Sequence, residues 1–270
     1  MSTASAPVEI ARVALVVHDL PGVAGFYRQV LGLDELSQWP DRVALGVGGR
    51  TLVELIGDPA ARRASPQEAG LFHTAFLMPS RAALARWLIH AASSGLRLQG
   101  ASDHLVSEAI YLSDPEGNGI EVYADRQRDT WHGPDGAIRM ATERLDLNAL
   151  ARAADTGWTE APEGLVVGHV HLQVGAVPEA EAFYAGKLGL PVMARFPGAA
   201  FYGSGGYHHH IATNVWNSRG AGQRRGSATG LAELVLAADP GELAALRARA
   251  GSDHLRDPWG TAVTVEPKAA

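Results

Sequence analysis

Apolar residues fall along the chain in runs with two different periods. Short runs at 13–17, 74–78, 170–174 and 232–237 have strand length, and each precedes a stretch whose apolar positions recur every three to four residues. Three of those stretches begin at a proline, Pro21, Pro178 and Pro240, a residue suited to a first helical turn because the N–H it lacks would have no partner there. The remaining stretch runs over 81–92. Each unit thus opens with a strand and continues with a helix. Two of them also close alike: Asp114-Pro115-Glu116-Gly117 leads into a strand at 120–123, and Asp257-Pro258-Trp259-Gly260 into one at 262–265.

An internal repeat supports this division. Phe26-Tyr27 followed by Leu31-Gly32-Leu33 recurs with identical spacing as Phe183-Tyr184 and Leu188-Gly189-Leu190. Four strand-helix-strands modules result, at 9–58, 70–125, 166–217 and 229–267. They are expected as an N-terminal pair, 9–125, and a C-terminal pair, 166–267, joined by a linker at 126–165. The linker reads as irregular coil around Trp131, His132, Pro134 and Gly136, then a short helix at 146–154. The fold class is α+β.

Composition narrows the chemistry. With 270 residues and 46% hydrophobic content, the chain can bury substantial cores, and its 31 glycines and 15 prolines are spread out as many short strands and turns require. A net charge of -6 and a pI near 6.0 leave no basic footprint for nucleic acid, and Arg62-Arg63 and Arg224-Arg225 read as solvated loop charge. There is no cysteine, so any metal must be held by histidine and carboxylate oxygen. No apolar run approaches the ~20 residues of a membrane span, and residues 1–9 lack a basic-then-apolar leader. A cytoplasmic protein is expected.

The order of modules resembles the vicinal oxygen chelate superfamily, which includes glyoxalase I, bleomycin-resistance proteins and the type I extradiol dioxygenases, over nearly the whole chain. The resemblance implies βαβββ modules that pair into two curved mixed sheets around a cleft, with metal ligands on the first and last strands of paired modules. Registered on the helix residue 14 positions after the first-strand ligand site (Phe26, Trp87, Phe183 and Leu246), the four candidates are Arg12, His73, His169 and Ala232. The last strands offer Glu54, Glu121, the run His208-His209-His210, and Thr264. Arg12 is a permanent cation and cannot ligate a metal. Modules two and three are therefore expected to hold the metal, and modules one and four to form a structural half. A lone strand histidine is most often structural, but two histidines and a glutamate at matching positions make the 2-His-1-carboxylate set His73, Glu121 and His169, whose open positions suit iron(II), with manganese(II) as the alternative. His171 shares a strand face with His169 and is its rival.

A second resemblance is local. His104, Ile110-Tyr111, Asp114-Pro115, Gly117 and Glu121 are spaced like the signature of extradiol ring-cleavage dioxygenases, except that Ser102 stands where that family has Gly, Asn, Thr or an aliphatic residue. It implies that His104 and Tyr111 face the substrate oxygens and that Glu121 binds iron. In the same family an active-site histidine acts as proton shuttle, and the string His209-His210-Ile211-Ala212 assigns that role to His209, or to His210 if the register slips by one. The stretches 100–123 and 206–216 resemble the small four-module catechol 2,3-dioxygenases, although in the best-known of these the third and fourth modules carry the metal. The implied function is opening of catechol-type rings with O2, in a homo-oligomer. The rival readings are a glyoxalase-like metal-dependent isomerase and a bleomycin-resistance-type binding protein.

Overall fold

Four modules follow one another in the computed structural model, which describes residues 6–269. The first comprises β1 (Val8–Val17), α1 (Leu20–Leu31), β2 (Asp34–Trp39), β3 (Arg42–Val47) and β4 (Arg50–Gly57). The second comprises β5 (Gly70–Leu77), α2 (Arg81–Ser93), β6 (Gly100–Asp103), β7 (Ser107–Ser113) and β8 (Gly119–Asp125). The linker contributes β9 (Glu143–Arg144) and α3 (Leu147–Ala151). The third module has β10 (Val166–Gln173), α4 (Val177–Glu181), β11 (Val192–Phe196), β12 (Ala199–Tyr202) and β13 (Ile211–Asn214), and the fourth β14 (Gly230–Ala238), α5 (Pro240–Ala250), β15 (His254–Arg256) and β16 (Ala262–Pro267). Among the described residues the fourth module has two strands after its helix, β15 and β16, where each of the other modules has three.

Local chemistry places the element ends. Asp19 caps α1 by accepting from the Gly22 N–H, Ser80 caps α2 through the Ala83 N–H, and α1 stops at Gly32 in a left-handed conformation. In the Asp-Pro turns, Asp114 Oδ1 accepts the N–H groups of Glu116 and Asn118, both at 2.9 Å, and Asp257 Oδ1 accepts those of Trp259 at 3.0 Å and Thr261 at 2.7 Å. The shared sequence therefore performs the same hydrogen bonding twice.

The strands form two curved mixed sheets. Modules one and four make a seven-stranded sheet in the order β15-β16-β14-β1-β4-β3-β2, and modules two and three a nine-stranded sheet in the order β11-β12-β13-β10-β5-β8-β7-β6-β9. Within each module the last strand lies parallel to the first, and the first strands of paired modules run antiparallel, β1 with β14 and β5 with β10. One continuous core joins Leu15 and Leu55 of the first sheet to Phe76 and Leu172 of the second and to Tyr27, Trp87 and Leu246 of the helices. The period of two along β5 sends Phe76 into that core and leaves His73, Ala75 and Leu77 on the opposite face. Among the described residues no helix is long and apolar enough to cross a membrane.

Candidate metal centre

Ala75 organises the site. Its neighbour across the parallel ladder is Glu121 of β8, and its neighbour across the antiparallel ladder is His169 of β10. His73 lies two residues earlier on the same strand and the same face. Because the side chain between them is only a methyl group, Glu121 and His169 can lean over it and meet His73. Glu121 Oε2 lies 3.0 Å from His73 Nε2 and 3.3 Å from His169 Nε2, and the two imidazole nitrogens are 3.3 Å apart. Among the described residues this is the one group of three His, Cys, Asp or Glu with converging donor atoms.

The donors fit a divalent cation. Ligand atoms ~2.1 Å from a metal are ~3.0 Å apart when octahedral and ~3.4 Å apart when tetrahedral, and the observed separations fall in that interval. Their protonation suits it too. Burial opposes the charge on Glu121, but contacts with His169 and His73 outweigh it and hold the carboxyl well below its usual range. Burial brings His169 down to about 4, so its ring is neutral and free to ligate at neutral pH. His171 pairs in register with His73, but its Nε2 lies 3.0 Å from the Asn214 amide nitrogen and outside the cluster.

The corresponding face of the first sheet is closed by ion pairs. Arg12 meets Glu266 at 3.0 Å and Glu54 at 3.9 Å, while Arg42 also pairs with Glu54. The residue opposite Ala14, matching His169 opposite Ala75, is Glu233 and not the expected Ala232, a shift of one residue beside an irregularity in the β1–β14 register.

Around the triad, Tyr111 of β7 stands opposite Glu121 of β8. Its hydroxyl lies 2.6 Å from His104 Nε2, and His104 Nδ1 lies 2.7 Å from the Ala141 carbonyl. The carbonyl only accepts, so a neutral His104 carries its proton on Nδ1 and accepts the Tyr111 O–H on Nε2. Burial, followed by the Glu121 charge, pushes the Tyr111 phenol well up, so it keeps its proton. Sequence reasoning aimed both groups at substrate; in the structure they are first bonded to each other.

The histidine run departs from its expected place. His208, His209 and His210 precede β13 instead of forming it, so strand alternation does not sort their faces. The residue of β13 that pairs with His171 is Ala212, in the row where module two has Glu121. His209 nevertheless lines the site, its ring centroid 4.1 Å from that of His169, and burial holds its pKa well below 6.5. His210 points elsewhere, its Nδ1 accepting the Ser204 N–H at 3.2 Å.

Residues 9–122 match the model of the Glyoxalase/Bleomycin resistance protein/Dioxygenase superfamily. Over 237 residues, 86% of this chain and 83% of the relative, the sequence is 35% identical to the catechol-2,3-dioxygenase of Bacillus subtilis (strain 168). The chain belongs to this superfamily. Another relative of this superfamily member is biphenyl-2,3-diol 1,2-dioxygenase 3 of Rhodococcus globerulus, 26% identical over 160 residues, which are 56% of this chain and 84% of the relative. The fold is shared with glyoxalase I from Zea mays, with a TM-score of 0.59 at 16% identity over 98% of this chain and 94% of the other.

In this superfamily member the triad opens onto a cavity of about 210 Å³. Its walls include Phe72, Phe196, Phe201 and Trp216, together with Met140 and Thr142 from the linker, and among the described residues no lysine or arginine lines it. Sequence reasoning missed the linker residues, treating that segment as a crossing. In fact β9 pairs with β6, which brings Met140 and Thr142 beside His104. Larger clefts of about 710 Å³ exist, one of them lined by Arg50, Arg126 and Arg128, but neither contains a member of the triad.

Proposed function

We propose that this protein is an extradiol dioxygenase that opens catechol-type rings with O2, using iron(II) held by His73, Glu121 and His169. The observation that carries this reading is the joint placement of three converging donors, the Tyr111–His104 pair and His209 on one aromatic-walled cavity. Ala212 strengthens the case against a glyoxalase-like site, which needs a second carboxylate on the strand where this chain has a methyl group.

When bound, iron(II) supplies a Lewis acid that can exchange electrons with both the ring and oxygen. The side chains of the chain itself bind, orient and move protons. Neutral His209 can accept a proton from a substrate hydroxyl and return it later, while the Tyr111 O–H, turned from His104 Nε2 toward a bound ring oxygen, donates a hydrogen bond there as negative charge builds. Phe72, Phe201 and Trp216 give the cavity an apolar wall against which a ring can pack. An apolar cavity of ~150 Å³ takes up benzene, so about 210 Å³ suits one ring with a small substituent. With no cationic partner in the walls, that substituent is uncharged.

The test is anaerobic reconstitution with iron(II), then oxygen uptake and formation of the yellow ring-opened semialdehyde across a panel of catechols. Stoichiometric uptake with the yellow product is expected for a small uncharged catechol. Absence of both from every member of the panel refutes the reading.

A further inference from the structure

His209 does not sit in the cavity as a free side chain. Its Nδ1 lies 2.8 Å from His208 Nδ1, and His208 Nε2 lies 2.9 Å from Asp125 Oδ1. The three residues come from opposite sides of the linker: Asp125 ends β8, four residues after Glu121, whereas the imidazoles precede β13. His208 is fully buried, with ring centroids 4.9 Å from Trp131 and 4.1 Å from Tyr207. The Tyr207 hydroxyl donates to Asp125 Oδ1 at 3.1 Å and is itself 2.8 Å from the Tyr123 hydroxyl.

Hydrogen-bond direction follows from which atoms can donate. A carboxylate oxygen only accepts, so the proton between Asp125 and His208 resides on His208 Nε2. A neutral His208 then has a lone pair on Nδ1, and the proton between the two imidazoles belongs to His209 Nδ1. His209 is left with its lone pair on Nε2, as a base for a substrate hydroxyl requires. We propose that Asp125 and His208 are positioning residues that set the tautomer and ring orientation of His209. The catalytic consequence rests on the dioxygenase reading, but the tautomer itself does not.

Asp125→Asn is the decisive variant. Its amide can offer an N–H to His208 Nε2, which reverses both protons in the chain and places the His209 proton on Nε2. In an Asp–His pair that orients a catalytic imidazole, the same substitution lowers kcat ~10⁴-fold through the wrong tautomer. With a second ring interposed, a fall of at least ~100-fold is expected, with KM within about threefold of wild type. The companion measurement is long-range ¹H–¹⁵N correlation on histidine-labelled, metal-free protein, with His209 assigned by difference from His209→Asn. Wild type should show His209 protonated on Nδ1 and Asp125→Asn on Nε2. His208→Gln retains an acceptor and a donor in the required sense and should keep most of the activity, whereas His208→Leu should lose it, which provides a second route if Asp125→Asn fails to fold. Tyr207→Phe removes a hydrogen bond from Asp125 without touching either imidazole and should leave the tautomer unchanged.

An Nε2 proton on wild-type His209, no tautomer change in Asp125→Asn, or an equal loss of kcat in Tyr207→Phe would each overturn the proposal. If the wild type opens no catechol, the dioxygenase reading fails by itself, and the tautomer measurement still decides this one.

Discussion

Acidifying the metal-free protein from about pH 8 to about pH 4.5 should remove much of its stability. Four buried imidazoles, those of His169, His171, His209 and His210, have pKa values below 6.5 in the fold, with burial the largest cause in each case. The fold therefore binds fewer protons than the unfolded chain between 6.5 and the folded value, and stability rises with pH across that window. The contribution is complete above 6.5 and is lost as the pH falls toward about 4 for His169 and about 3 for His210. At ~1.4 kcal/mol per pH unit, the full spans correspond to about 3 kcal/mol for His169 and about 5 kcal/mol for His210, of which about 3 kcal/mol each is lost by about pH 4.5. Their combined size is comparable with the ~5–15 kcal/mol that holds a typical domain folded. Asp114 and Asp257, raised by burial, act in the opposite sense, since the fold binds their protons more tightly, but they are two groups against four. The assay is urea unfolding at successive pH values. The slope should approach ~5 kcal/mol per pH unit once all four imidazoles are titrating in the unfolded chain alone, and His210→Gln should reduce it by about one proton. A divalent cation, which requires neutral His169, should move the loss to lower pH. An unfolding free energy that stays level or rises as pH falls from about 6.5 to about 5 would refute the reasoning.

Three further outcomes are expected. Glu121→Ala or His73→Ala should abolish tight binding of one divalent metal per chain, measured by metal analysis after dialysis, whereas His171→Ala and Glu54→Gln should retain it, because Asn214 and the arginines occupy those groups. Ala75→Leu should add ~1–3 kcal/mol of overpacking and weaken metal affinity at least tenfold by holding Glu121 and His169 apart, as read by urea unfolding and metal titration; unchanged affinity would mean that the methyl group is not what lets the donors converge. A catechol bearing a carboxylate should show kcat/KM lower than 4-methylcatechol by ~100-fold or more, since the cavity wall offers that charge no lysine or arginine; equal values would contradict the uncharged-substrate assignment.

The sequence by itself determined the elements, the repeat and the residue types of the site. Those properties are local: proline and aspartate caps, Asp-Pro turns and two hydrophobic periods depend on neighbours within a few residues, and the count of 14 from a strand histidine to a helix aromatic holds in modules two and three while the strand register of module four slips by one. The spacing from His104 to Glu121 was legible for the same reason, since one hairpin, β7–β8, carries Tyr111 and Glu121 as opposite partners. Other features depended on residues far apart in the chain. The run His208-His209-His210 looked like a strand because its neighbour Ile211 begins one, yet the strand starts only after it: His208 and His209 bond to Asp125 and to each other, while His210, whose backbone bonds Tyr202 and Val170, turns its ring to the Ser204 N–H. The linker read as a crossing because nothing local shows that β9 will pair with β6 and bring Met140 and Thr142 to the cavity. Which sheet edge pairs, which tautomer a neighbour imposes and which side chains close a pocket are set by contacts between segments brought together only in the folded chain. In β5 the two levels meet. Alternation along the strand assigns His73 and Ala75 to one face, but only the pairing of β8 on one side and β10 on the other brings Glu121 and His169 within 3.3 Å of each other, over a residue small enough to let them touch.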